Sequence, residues 1–535
     1  MKTPSLLRSM LSFSAMTFIS RLLGLVRDQV INAVFGVSWK TDAFWVAFRI
    51  PNFMRRLFAE GSFSTAFVPV FTEVKEKRSH AELKTLVARV AGTLGGVLLV
   101  VTAVGMLGSD AITALFSPGA MAQPEKFQLT SQLLRITFPF LLFVSLTALA
   151  GGVLNSFHKF ALPALTPVIL NLCMIAGALW LAPRMEVPIG ALAWSIFGAG
   201  VLQLVFQFPI LRKLDLLALP RWGWAHPDVR RILRLMIPTL FGSSIAQVNL
   251  LLDTLIASLL ITGSQTWLQQ TDRLLELPLG VFGVALGTVI LPSLSRHHVS
   301  TDREGFSRAL DWGLRTALLI SVPAMLGLML LAAPIVSTLF QHGRFNAHDV
   351  DMTALSLTAL SFGLPAFALV KVLAPAFYAR QDTRSPVRAG VAAMIVNMAL
   401  NIIFVGILFA LWHGPEQWTD GWFAGIARVP GLHMALALAS ALASYLNLWL
   451  LWRALLREGV FARQPGWGRH LARLACACTA LTAVLLAGIT FWHGWSDWPT
   501  LTRVWRLSVL IGAASAAFVG VLFASGFRLR DLRAH

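Results

Sequence analysis

Apolar runs of about twenty residues recur from end to end of this chain, the length a helix needs to cross a ~30 Å hydrocarbon layer. Leu86–Leu107, Leu133–Leu154, Leu314–Ala333 and Ala472–Thr490 are four of them. By hydropathy the chain holds about fourteen. The pattern predicts an all-α, polytopic membrane protein. Its exceptions are informative. Arg21 and Arg27 interrupt the first span, Arg55 lies near the end of the second, and Arg273 sits in a span far downstream. An arginine facing lipid at mid-bilayer costs roughly 2.5–3.5 kcal/mol even on the lenient insertion scale, so four cost on the order of 10–14 kcal/mol. That is comparable to the whole stability of an ordinary domain. These side chains are expected to face a water-filled cavity, carboxylates or an anionic substrate. We read them as the lining of a transport cavity for an anion.

Composition agrees with the pattern: of 535 residues, 56% are hydrophobic and 13% charged, with a mean hydropathy of +0.70. A net charge of +19 raises the question of nucleic acid. Its distribution points instead to membrane topology. Basic residues crowd alternate loops, as in Lys75/Lys77/Arg78, Arg212/Lys213/Arg221, Arg380/Arg384/Arg388 and Arg453/Arg457/Arg463/Arg469. The intervening loops hold one each at most, a split of roughly 27 to 6 that follows the positive-inside rule. It places both termini in the cytoplasm and requires an even number of spans. The clusters read as topology and anionic-lipid contacts, and no nucleic-acid partner is expected. Cys173, Cys476 and Cys478 fall within apolar spans and read as small core residues. The arginines of the first span argue against a cleavable signal there.

The chain also repeats itself. Pro69 and Pro292 each close a span and lie 223 residues apart, as do Pro163 and Pro386, each opening a span. Phe116 and Phe340, and Gly119 and Gly343, are 224 apart. A unit of six spans enters and leaves on the same side, so the two copies are expected to be related by an axis along the membrane normal, with a substrate site between the halves. The expected organisation is an N-terminal lobe over residues 1–220, a C-terminal lobe over 221–460, and an added helix pair over 461–535.

Within this frame the second span carries a polar stripe of Asp42, Arg49, Asn52, Arg56 and Glu60, spaced to share one helical face beside Arg55. On the first helix Arg21 and Asp28 share a face, whereas Arg27 lies about 120° from Arg21. In the eighth span Arg273 can pair with Glu276 at i+3, and Gly280 and Gly287 continue its face. Asp253, Asn397 and Asn401 are isolated polar residues in apolar spans, an oxygen set suited to a monovalent cation such as sodium. Interhelical hydrogen bonding is the competing reading of the same three. No Gly-Lys pair occurs, which excludes a Walker A loop, and HExxH and Cys/His zinc spacings are missing. The chain is not expected to be an enzyme, nor to need a cofactor beyond that cation and the membrane potential.

Several segments resemble the lipid II flippase family (MurJ, formerly MviN). They are Arg21-Leu22-Leu23-Gly24-Leu25-Val26-Arg27-Asp28, Thr41-Asp42-Ala43-Phe44, and Pro51-Asn52-Phe53-Met54-Arg55-Arg56-Leu57-Phe58-Ala59-Glu60-Gly61. Ala285-Leu286-Gly287-Thr288 and the run from Lys371 to Asp382 belong with them. The resemblance covers essentially the whole chain. It implies the two-lobed architecture of the multidrug/oligosaccharidyl-lipid/polysaccharide exporter superfamily in the bacterial inner membrane. It also implies alternating access by which an arginine-lined central cavity carries lipid II, a diphosphate-linked disaccharide-pentapeptide, to the periplasmic leaflet. Arg21, Arg27, Arg55 and Arg273 are implied to bind the substrate, with Asp42, Asn52, Arg56, Glu60 and Glu276 in support. The C-terminal pair is implied to form a groove for the isoprenoid chain, and membrane lipids and the cell-wall synthesis machinery are expected partners. One departure is Gln269-Gln270, where aromatic residues are expected. Two rivals remain: a cation-coupled drug exporter of the same architecture, which would want an acidic or aromatic cavity, and a membrane enzyme acting on lipid-linked sugars, which would want catalytic carboxylates on a sizeable loop.

Overall fold

The computed structural model describes residues 3–56, 63–300, 302–412, 421–462 and 464–528, with side chains described for all of these except 3–18, 64–65, 237–246, 281–289 and 422–423. The described residues form helices and their connections, without a strand among them. In chain order the first ten helices are α1 (Thr3–Phe35), α2 (Trp39–Arg55), α3 (Ser64–Lys77), α4 (His80–Leu107), α5 (Ser109–Phe116), α6 (Pro124–Thr137), α7 (Phe140–Ser156), α8 (Ala161–Ala176), α9 (Gly190–Lys213) and α10 (Pro227–Ser258). The next ten are α11 (Ser264–Val299), α12 (Arg303–Leu330), α13 (Ala332–Phe340), α14 (Ala347–Ser361), α15 (Leu364–Tyr378), α16 (Arg384–Trp412), α17 (Trp422–Ile426), α18 (His433–Arg457), α19 (Trp467–Phe491) and α20 (Thr500–Ala524).

Local signals account for many of the boundaries. Ser38 and Thr41 form a reciprocal capping box that starts α2, and Asn346 and Asp349 do the same for α14. Ser79 and Asp302 cap α4 and α12 through their side-chain oxygens. Pro124 and Pro227 open α6 and α10, where the missing N–H costs nothing.

The repeat in the residues reappears in the order of the helices. The starts of α4 and α12, of α5 and α13, of α6 and α14, and of α8 and α16 are each 223 residues apart. Among the described residues nine helical segments, α6 with α7 counted as one, are long and apolar enough to cross a membrane; the pair α14 and α15, bent by 43°, makes a tenth. The other long helices are α1, α10 and α11. With the proline-containing α2, they hold Arg21, Arg27, Asp42, Arg55, Asp253 and Arg273.

By internal contacts the chain divides into a unit over Met1–Gln265 and a unit over Thr266–His535. In the first, α1 packs on α8, α2 on α6 and α7, and α10 on α3 and α5. Its core is rich in aromatic rings, with Phe44, Trp45, Phe67, Phe71 and Phe140 fully buried. In the second unit α12 packs on α15 and α19, α16 on α18, and α19 on α20. The C-terminal pair packs on α12 and α13 of that unit, and a buried guanidinium adds polar ties. Arg503, 7% exposed, donates to the carbonyls of Trp498 at 2.7 Å and Ser337 at 2.8 Å, and to Oε1 of Gln341 at 2.9 Å. Replacing Arg503 with Met strands these buried acceptors, so a loss of about 2–4 kcal/mol is expected, read as a lower unfolding temperature in detergent.

Candidate functional site

In the N-terminal unit Arg27 points into the α1–α8 contact. Its Nε and Nη2 donate to Oδ1 of the adjacent Asp28 at 2.8 and 2.6 Å, and Nη1 donates to Oδ1 of Asn171 on α8 at 3.2 Å. Asn171 in turn donates to the carbonyl of Ser20 at 3.1 Å, which fixes its amide orientation. Arg27 and Asp28 are both buried, and Arg21, on another face of α1, is half-buried. The 120° separation of the two arginines is thus met by sending them in different directions. Taking either charge of the Arg27–Asp28 pair out of water is expensive, and the close geometry and Asn171 help to compensate it.

Along α2 the polar stripe splits into two functions. Asp42, 1% exposed, accepts from the N–H of Gly263 at 2.7 Å and lies 3.9 Å from Nζ of the buried Lys126. Gly263 has φ +104°, a backbone state that L side chains rarely adopt, so this carboxylate holds a turn that needs glycine. Arg49, also buried, donates to Thr254 at 2.9 Å and to Gln265 at 3.1 Å. These residues brace α2 against the end of α10. Further along, the half-buried Arg55 donates through Nε to Asn52 Oδ1 at 3.0 Å, and Arg56 reaches Gln247 at 3.5 Å. A guanidinium carries its donors in one plane, the geometry that matches two phosphate oxygens. Glu60 lies outside the described residues.

In the C-terminal unit α11 is held on one side by α14. Trp267 Nε1 donates to Asp349 at 3.1 Å, and Thr271 and Ser356 share a hydroxyl bond of 2.7 Å. Arg273, two residues beyond Thr271, is turned about 200° around the helix from that contact. Its side chain is 21% exposed, and Nη1 lies 3.5 Å from Oε2 of Glu276, which is 51% exposed. This is a loose, partly exposed pair, unlike the buried one on α1. Asn397 and Asn401 are buried one turn apart on α16, with Asn397 accepting from Ser440 at 3.3 Å. Asp253, in the N-terminal unit, accepts from Asn249 at 3.3 Å. Among the described residues no group of three or more His, Cys, Asp or Glu is placed to hold a metal ion. An apolar groove of about 350 Å³ also lies in this unit, lined by Leu314, Leu318, Leu369, Leu448, Trp449 and Trp467 among others.

Sequence reasoning passed over three of these participants. Asn171 was visible as a lone amide in an apolar helix. Arg49 stood in the stripe without a role, and Lys126 carries a charge beside a span. What each touches was not readable from spacing.

The chain's similarities to known proteins point one way. The family model described as lipid II flippase MurJ matches residues 31–412. A Vibrio cholerae protein named probable lipid II flippase MurJ is 45% identical over 538 residues, covering 99% of this chain and 98% of the relative. A Burkholderia cenocepacia protein named lipid II flippase MurJ is 39% identical over 539 residues, covering 99% of each. Among solved structures, a lipid II flippase MurJ in an inward closed conformation aligns with a TM-score of 0.75 at 26% identity, covering 96% of this chain and 99% of that one. An inward-facing multidrug transporter of the MATE family aligns with a TM-score of 0.66 at 12% identity, covering 84% of this chain and 98% of that one, a likeness of fold alone.

Proposed function

Because the chain belongs to the lipid II flippase MurJ family, we propose that it moves lipid II across the bacterial inner membrane and that its intramembrane arginines receive the diphosphate. It is a transporter and not an enzyme. The observation that carries the reading is the family match over nearly the full chain, joined to the arginines that α1, α2 and α11 carry. The head group carries many polar groups, each costing several kcal/mol if stranded in hydrocarbon. A polar path lined by guanidinium forks avoids that cost while the isoprenoid stays in lipid. The apolar groove beside α12, α15 and α18 suits part of that chain.

The path is exposed to one side of the membrane and then the other. An inside-negative potential favours outward movement of the anionic head by about 2.3 kcal/mol per charge per 100 mV, so the potential suffices as a drive without ATP. Both termini lie in the cytoplasm, by the distribution of basic loops. Where a cation is coupled, Asp253 in the N-terminal unit and, separately, Asn397 with Asn401 in the C-terminal unit are candidate ligands, and if Asp253 is the ligand Asp253→Asn should abolish the ion dependence of transport. An unchanged response removes that coupling role. A drug exporter of the same fold is the weaker alternative, since an arginine wall repels cationic drugs.

The test is depletion of the protein in living cells followed by measurement of which leaflet holds lipid II. Accumulation on the cytoplasmic side is expected; unchanged delivery to the periplasmic leaflet would overturn the assignment.

A further inference from the structure

The run from Lys371 to Asp382 ends in a built turn after α15. Gln381 has φ +61°, and Oδ1 of Asp382 accepts from the N–H groups of Arg384 and Ser385 at 2.9 and 3.1 Å. Arg380, within this turn, folds back over its own helix. Nε donates to the carbonyl of Ala376 at 3.2 Å, Nη1 donates to Oε2 of Glu458 at 2.5 Å, and the guanidinium lies 5.1 Å from the centre of the Phe377 ring. Its charge also reaches Asp382. The side chain is 15% exposed, and Nη2 is buried without an acceptor among the described residues. A buried donor left so is expensive, and more so on an ionised group. This guanidinium is one partner short.

Arg380 lines a pocket of about 270 Å³ together with His297, His298, Asp302, Arg303 and Glu458, all in the C-terminal unit. The pocket lies where the connections that follow α11, α15 and α18 meet. Non-helical backbone facing lipid is not tolerated inside hydrocarbon, so this pocket belongs to the headgroup layer or to water. The basic-loop pattern assigns that end to the cytoplasm. His297 follows Arg273 by 24 residues on α11, up to about 36 Å of rise, which sets the pocket apart from that arginine. Both carboxylates of the pocket are already matched. Asp302 accepts from the N–H of Gly305 at 2.8 Å and its other oxygen lies 3.0 Å from Nδ1 of His297, while Glu458 takes Arg380. Arg303, in the first turn of the 28-residue α12, is exposed and makes no side-chain ion pair or hydrogen bond among the described residues. The positive end of the α12 dipole adds to its charge. The surplus is of donors and positive charge, the complement of an anion with several oxygens.

We propose that this pocket is a second anion site, which binds a phosphate group between Arg303, Arg380 and the start of α12. The phosphate comes from a phospholipid headgroup or from a soluble phosphate compound. Basic pockets between membrane-spanning helices on the cytoplasmic side suit the first source. As the pocket stands Nη2 is sealed from solvent, so the bound oxygen draws the guanidinium a short way toward it. A phosphate held there ties the start of α12 to the end of α15 and stiffens the C-terminal unit. The site does not depend on lipid II being the cargo.

The experiment takes the full chain in a neutral detergent, stripped of co-purified lipid. It is titrated with dihexanoyl phosphatidylglycerol below its micelle concentration and, separately, with inorganic phosphate. Binding is read by calorimetry and by the rise in unfolding temperature. Saturable binding of at least one probe is expected. Arg303→Glu and Arg380→Gln should each weaken it by about tenfold or more, the scale of one hydrogen bond to a charged group. Arg55→Ala and Arg273→Ala should leave it unchanged. Binding of the short lipid alone assigns a headgroup, and binding of inorganic phosphate alone or equally well assigns a soluble phosphate. The proposal is overturned if neither probe binds saturably at millimolar concentration, or if binding survives both Arg303→Glu and Arg380→Gln. Binding lost in Arg55→Ala or Arg273→Ala instead places the anion on the transport arginines and overturns it equally. Arg380→Gln takes a partner from Glu458 and is checked for folding by its unfolding temperature. Should it fold poorly, Arg303→Glu decides alone, because that side chain is exposed and holds nothing in place.

Discussion

Arg27→Met should destabilise the protein by about 3–5 kcal/mol, the range seen when one partner of a buried ion pair is removed. Asp28 is 0% exposed and receives two hydrogen bonds from the guanidinium, so its charge loses its principal compensation inside the α1–α8 contact. Thermal unfolding in detergent reads this directly. The double variant Arg27→Met/Asp28→Asn removes both charges, and most of the stability should return. Transport should not return with it, because Arg27 is proposed to serve the diphosphate as well as the fold. A double variant that is both stable and active would reduce Arg27 to a brace between α1 and α8. The buried geometry makes this the sharpest test of any single arginine.

For Arg273→Ala the expectation runs the other way, a large loss of transport with little loss of stability. Hydrogen bonds to charged groups are worth about 1.5–3 kcal/mol, and every 1.4 kcal/mol is tenfold, so translocation should fall by about ten- to a hundredfold. Glu276 is half exposed and 3.5 Å from the guanidinium, so this pair itself should account for no more than about 1 kcal/mol of stability. Arg273→Lys keeps the charge and loses the fork, and should be intermediate. The same substitution at Arg55 should also impair transport, since Nε is occupied by Asn52 and the paired Nη groups are what a lysine lacks. Initial rates of lipid II translocation in proteoliposomes, set beside unfolding temperatures, check both. Full activity of either lysine variant would argue against bidentate capture of phosphate.

The contrast between Arg27 and Arg273 marks the limit of reading a chain by itself. Both stood in the sequence as intramembrane arginines with an acid nearby, Asp28 at one residue and Glu276 at three. Only the packing distinguishes them, one sealed against Asn171 and the other beside a half-exposed carboxylate. Asp42 offers a second case. The stripe on α2 was legible as a period, yet its members brace different neighbours: Asp42 holds the Gly263 turn and Arg49 holds Thr254, whereas Arg55 turns to Asn52. Helical periodicity says which residues share a face, and it is silent about what that face meets.

From the chain alone came the helical membrane class, the 223-residue repeat with its helix pair left over, and the inventory of charges that hydrocarbon cannot tolerate. These are local properties, set by the thickness of a bilayer, the rise of a helix and the cost of burying charge, and each is written in consecutive residues. The partners of those charges were decided by tertiary packing. Arg27 meets Asn171 across 144 positions and Lys371 meets Leu279 across 92. Contacts over such separations depend on how whole helices lie against one another, through many small apolar contacts summed over the core, and no short stretch of sequence contains that sum.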